Sequence, residues 1–374
     1  MENAELLFQK NFSGMLPKKL KISHGIVVYE NKREEFSGVC IRQLLCFLNG
    51  VMEKYKKRHC PIIILLGNVQ FKDKLTYIFL EIIWYAMIEK YHNKLNIQFR
   101  CERSIHTEGI KYSPLVIGDL KNTQKCMAKF RDDIYKTHFR KILAYNDGDE
   151  TLSKTMGDIT YYLGYCGIEQ SCADDISEVV SELIGNAWEH ANTSCLVDID
   201  VTGLYGKEGS NESYAGINIA VVNFSESLFG DALKQRILQN EEMLDSRYKK
   251  VKEAYTNHKN FFDDEYTETD FFNIASFQHK ISGSINKSIT GGTGLTKLIG
   301  SLEKRSDAHN CYMISGTRAL WFNHKFLEYN DGWIGFNEQN DFFSNPPSKK
   351  VIGKSTIYMP GTAFNLNFVM KQEV

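Results

Sequence analysis

In the run from Ser181 to Asn192, SELIGNAWEHAN, the residues Glu182, Asn186 and Glu189 recur at three- and four-residue steps, with Glu178 one turn earlier and His190 alongside. On a helix that spacing stacks carboxylates and an amide on one face. Ile176, Val180, Leu183, Ile184, Ala187 and Ala191 recur at the same steps on the other side, so the preceding CADDISEVV extends the same predicted helix. Asparagine is a poor interior helix residue, because its amide competes for backbone partners. Two readings stand: a solvated polar face, or a row of ligand groups turned into a site. A second stretch, GGTGLTKL at 291–298, sets glycines at 291, 292 and 294 ahead of another predicted helix. Such glycines let backbone approach a ligand closely, and the free N–H groups and positive dipole end of the helix suit a phosphate chain.

The elements that must position these residues are readable around them. CLVDIDVTGLYG and SYAGINIAVVNFSE alternate apolar and polar residues, and KEGSNES between them is a turn signal, which predicts a hairpin. From 230 to about 290 the pattern is helical and charged, then acidic and aromatic. NCYMISGTRALWFNHK and STIYMPGTAFNLNFVM read as closing strands with a loop of about 25 residues between them. Upstream, HGIVVYE (24–30), PIIILLGNV (61–69) and LNIQFRCE (95–102) read as buried strands, with a strongly helical stretch between the last two. Strand, helix, strand predicts an α/β unit with parallel strands, similar to the central unit of STAS-like domains. A polar, mixed segment from about 120 to 150 leads into the amphipathic helix TLSKTMGDITYYLGYCG.

Composition narrows the function classes. With 45 basic and 46 acidic residues the net charge is −1, so no global field draws the chain to nucleic acid or an anionic membrane. The basic cluster KYKKRH (54–59) ends a predicted helix, where cations suit the dipole. The 9 cysteines are scattered singly without a CxxC pair, which suits reduced thiols rather than a disulfide frame or zinc site. The start, MENAELLFQKNFSG, lacks the basic and apolar regions of a signal peptide, and the apolar stretches are too short to span a bilayer. The expectation is a cytoplasmic protein.

Taken together, ELIGNAWEHA, GGTGLTKL and the closing PGTAFNLNF resemble the GHKL superfamily of ATP-binding domains, which includes gyrase, chaperone, histidine-kinase and MutL ATPases. The likeness covers roughly residues 150–374 and is closest to the anti-sigma-factor serine kinases. It implies an α/β fold of the α+β sandwich kind: a Bergerat-type ATP-binding domain at 149–374, with helices on one face of a mixed sheet and a long lid insertion at about 230–290, preceded by a smaller α/β regulatory or partner-docking domain at 1–148. Carried over by motif, Glu182 would orient or deprotonate the attacking group. Asn186 would ligate Mg²⁺ through its amide oxygen, the remaining ligands coming from phosphates and water. His190 falls near the phosphates, and Gly292, Thr293, Gly294 and Leu295 match the second glycine box, with Leu298 packing behind it. Gly361 and Thr362 match the last-strand motif, whose threonine serves the adenine side. Lys287, at the end of the insertion, could reach a terminal phosphate as a lid closes.

One motif departs from the family. Asn223 stands at the position of the adenine-binding aspartate, with Ser225 and Ser227 at the usual glycines and Asp231 as a substitute carboxylate a few residues on. An amide accepts without charge assistance and can also donate, so adenine preference is open. The implied function is Mg²⁺–ATP binding by an intracellular regulator, an ATPase or serine/threonine-type protein kinase with a protein partner or substrate. The alternative is a nucleotide-gated binding or scaffold module with little turnover. Neither nucleic acid nor membrane is an expected partner, and a homodimer is compatible. A sensor histidine kinase is disfavoured, because His106 and His138 lack the acidic neighbour and following proline of its phosphoacceptor.

Overall fold

Short apolar runs bounded by turn residues build a five-stranded sheet in the first third of the chain. The computed structural model describes residues 1–374 apart from 12–20, 24, 56–59, 93–94, 103, 118–122, 207–211, 240–244, 283–293, 306–310 and 373–374. Helix α1 (Glu5–Lys10) is followed by β1 (Lys21–Ser23), β2 (Ile26–Glu30) and β3 (Glu35–Phe36). Then come α2 (Gly38–Lys54), β4 (Ile62–Phe71), α3 (Lys74–Glu89) and β5 (Leu95–Cys101). β4 pairs in parallel with β5, as the strand–helix–strand pattern predicts, and in parallel with β2 and β3 as well, while β1 runs antiparallel to β2. Asp73 starts α3 by accepting from the Thr76 N–H at 2.9 Å. A helix apolar around its whole circumference must be covered all round. α3 is buried from Lys74 to Met87.

What covers α3 is a second, seven-stranded sheet. Helices α4 (Pro114–Ile117) and α5 (Thr123–Arg131) lead into the hairpin β6 (Asp132–Tyr135) and β7 (His138–Leu143). Helices α6 (Gly148–Tyr165) and α7 (Gln170–Ala191) precede β8 (Cys195–Val201), β9 (Tyr205–Gly206) and β10 (Ser213–Asn223), which realise the predicted hairpin. After α8 (Asp231–Gln239), α9 (Ser246–His258) and α10 (Glu268–Ala275) come α11 (Gly294–Arg305), β11 (Tyr312–Trp321) and β12 (Ile352–Gln372). The strand order is β11-β12-β10-β8-β7-β6, with β9 on β10. Its ladders are antiparallel throughout, where the resemblance implies a mixed sheet. The tight connection between β6 and β7, Tyr135 to His138, enforces that pairing there. The sheet already begins at Asp132, upstream of the division expected at 148/149.

Strand alternation sends side chains to two covered faces. Val197, Ile199, Ile219 and Val221 join the core under α6, α7 and α11. Leu196, Ala220, Val222 and Ala363 join the core of α2 and α3. The helices of 149–374 thus share one face of this sheet, and the N-terminal helices α2 and α3 cover the other. The polar residues of that face are buried against them. Lys74 of α3 pairs with Asp198 and Asp200, and Arg140 spans Asp198 and Glu81. His138 lies 2.9 Å from Asp133 and 3.0 Å from Asp198. Asn218 donates to Asp200 at 2.7 Å.

The interval read as a lid insertion is, as far as Ser282, packed structure. Tyr248, Val251, Phe271, Phe272, Ile274 and Phe277 belong to the core under α7. The long loop before β12 closes over it, with Trp333 stacked on Phe342 and Phe342 on Phe271.

Candidate functional site

The row on α7 divides. Glu178 is tied to Lys297 of α11. Glu182 and Asn186, one turn further, are half-buried and have no side-chain partner among the described residues. Both line a cleft of about 820 Å³ including its open mouth, bounded by α7, the end of β10, α8, α11 and β12. The helix forms here because Val179, Val180, Leu183, Ile184, Ala187 and Trp188 seat one stripe in the core, and it stops at Asn192 in a left-handed cap (φ 50°, ψ 41°). The stripe leaves the Glu182–Asn186 edge facing the cleft.

Opposite α7 are Asn223 and Thr362. They are partners in the β10–β12 ladder, and both belong to the positions that alternate toward α7. Each is only 7% exposed, lines the cleft, and has no side-chain hydrogen bond among the described residues. Gly361 sets their spacing. Its φ is +85°, and a Cβ there would lie 2.5 Å from the Asn223 carbonyl oxygen and 2.8 Å from the Ser225 nitrogen. Ser315 Oγ donates to the Gly361 carbonyl at 2.6 Å and accepts from the Phe229 N–H at 3.0 Å, which fastens β11 to the loop after β10.

Leu295, in the first turn of α11, also lines the cleft, and Leu298 is buried behind it. Gly294 opens that helix. Lys287, Gly292 and Thr293 lie outside the described residues, as does the side chain of His190 in the last turn of α7. Asp231 is corrected as a substitute carboxylate: its Oδ2 accepts from the Leu228 N–H at 2.8 Å and starts α8, outside the cleft lining. Sequence reasoning missed the apolar walls, Leu228, Phe229 and Phe364, and the contribution of Ser276, Ile281 and Ser282. Ser282 is anchored through its carbonyl, which accepts from Arg236 at 3.1 Å and from the Tyr248 hydroxyl at 3.0 Å.

Chemically the cleft offers a carboxylate and an amide on one wall and an unpaired amide and hydroxyl on the other, with apolar surface between. Among the described residues no three His, Cys, Asp or Glu side chains gather as a ligand set. A cation here would take the Asn186 oxygen and draw its other ligands from a bound phosphate and water, as Mg²⁺ does. No family model, curated protein or solved structure matches the chain. Among the described residues no helix is long and apolar enough to cross a membrane.

Proposed function

We propose that this cleft binds a magnesium–nucleotide in the manner of GHKL ATP-binding domains, with ATP as ligand, and that the chain is an intracellular ATPase or protein kinase acting on a protein partner. One observation carries the reading. Glu182, Asn186, Asn223, Leu295 and Thr362, singled out from separate sequence motifs, line a single cleft. In this reading Asn186 holds the metal, Glu182 orients or deprotonates the attacking hydroxyl or water, and the start of α11 faces the phosphates. Asn223 and Thr362 take the base.

The uncharged Asn223 favours a second reading, a nucleotide-gated module in which binding matters more than turnover. One set of measurements separates the two. Thermal shift with ATP should show a magnesium-dependent rise that Asn186→Ala abolishes while the fold survives. Glu182→Gln should keep binding but lower turnover by about 10²-fold or more, the scale of general-base loss. Equal slow rates in both proteins leave the gated module, and no stabilisation by millimolar ATP ends both readings.

A further inference from the structure

One wall of the cleft presents two polar side chains that have no hydrogen-bond partner among the described residues. Asn223 and Thr362 are each more than nine-tenths buried, and among the described residues neither finds a partner. Their polar atoms open onto the cleft, where an amide and a hydroxyl side by side suit the polar edge of a ligand. The wall opposite is different in kind. Glu182 and Asn186 are half-buried and polar, which suits a hydrated metal and phosphates. Between the two walls lie Leu183, Leu228, Phe229 and Phe364, flanks for a flat ring.

We infer that the cleft accepts both 6-amino and 6-oxo purine nucleotides, and that Asn223 is the residue that permits it; this rests on the nucleotide reading above. A carboxylate at this place could only accept hydrogen bonds, which suits an exocyclic amine and repels a ring carbonyl. A primary amide carries one acceptor and two donors, and half a turn about its last bond exchanges them. In one orientation the Asn223 oxygen accepts from the adenine amino group while its NH₂ donates to ring N1. In the other, the NH₂ donates to the guanine carbonyl and the oxygen accepts from N1–H. Among the described residues nothing holds the amide in either orientation. Gly361 brings the β12 backbone close against the Asn223 and Ser225 backbone and leaves no space there for a side chain that could read the base. Selection therefore falls on the chemistry of the side chain at 223.

The test is competition of unlabelled MgATP, MgGTP and MgCTP against a fluorescent ATP analogue on the full chain, for wild type, Asn223→Asp and Asn223→Ser. Wild type should hold ATP and GTP within about tenfold of each other, with CTP weaker than both. Asn223→Asp should lose GTP by about ten- to a hundredfold relative to ATP, the scale of an unsatisfied or repelled hydrogen-bonding group. Asn223→Ser, which removes the reading amide and keeps a small polar side chain, should weaken ATP and GTP alike, and it serves if the aspartate variant does not fold. ATP binding with GTP excluded, a purine ratio unmoved by Asn223→Asp, purine affinities unmoved by Asn223→Ser, or CTP binding as well as the purines would overturn the inference alone. If the analogue itself does not bind, the nucleotide reading fails and this inference with it.

Discussion

A side chain at Gly361 would meet backbone on the neighbouring strand, and the backbone there already sits at φ +85°. Both penalties fall on Gly361→Ala: a left-handed conformation for a residue with a Cβ, and a contact that only movement of the β10 end can relieve. The expected cost is about 2–4 kcal/mol, read as a lower urea midpoint at unchanged slope. The same movement displaces Asn223 and Thr362, so ligand binding should weaken further than the lost stability explains. A variant as stable as wild type would mean that the loop after β10 yields freely. Residues of this kind were legible in the sequence. The three-and-four spacing set Glu182 and Asn186 on one helix face, and the motif resemblance marked them together with Asn223, Gly361 and Thr362. The walls were not, because Leu228, Phe229 and Phe364 are ordinary apolar residues whose meeting depends on contacts far apart along the chain.

Among the elements, α3, β7 and β8 share a seam of charge closed off from water. Its members are Lys74 and Glu81 from α3, His138 and Arg140 from β7, Asp198 and Asp200 from β8, and Asp133 from β6, with the Tyr112 ring stacked on His138. Burial alone would lower the pKa of His138. The Asp198 charge and hydrogen bonds to Asp133 and Asp198 outweigh it and hold the imidazole above the ordinary histidine value. A raised folded-state pKa gives stability that is complete below the unfolded value, about 6.5, and is lost as pH climbs through the folded value. Urea midpoints should therefore fall between pH 6 and the mildly alkaline range, and His138→Gln should flatten that fall. An identical pH profile in the variant would show that this histidine does not titrate in the seam. The seam also explains why β7 was read as part of a polar, mixed segment. HFRKIL looks solvated, and alternation along β8 cannot tell a wet face from a buried ionic one. The stretch of α8 and α9 was likewise legible as helical and that of α10 only as acidic and aromatic, while their place in the core was not. Mixed charge on their outer faces conceals how much aromatic surface they bury.

At the scale of the molecule, two sheets enclose α2 and α3, and the cleft opens on the far side of the second sheet, under α7. The first sheet was legible through its apolar runs, and the hairpin of the second through its alternation. The shared middle layer was not, since it required knowing that both faces of the second sheet are covered. β12 completes this arrangement late: β10 ends at Asn223, β12 begins at Ile352, and β12 lies between β10 and β11. Until it docks, β10 presents an open edge with unpaired N–H and C=O groups. Pairings so distant along the chain are slow to form. Refolding from urea should pass through a dye-binding, aggregation-prone species whose yield of native protein falls as protein concentration rises. A single concentration-independent phase without dye binding would count against that order of events. Thr362 arrives on the same strand, so in that order of events the cleft forms last, and the ligand proposed above would find no site on the chain until then. Once formed, a ligand gripping α7 and β12 together would act as a latch on that last closure, lengthening the native lifetime by holding back the departure of the strand.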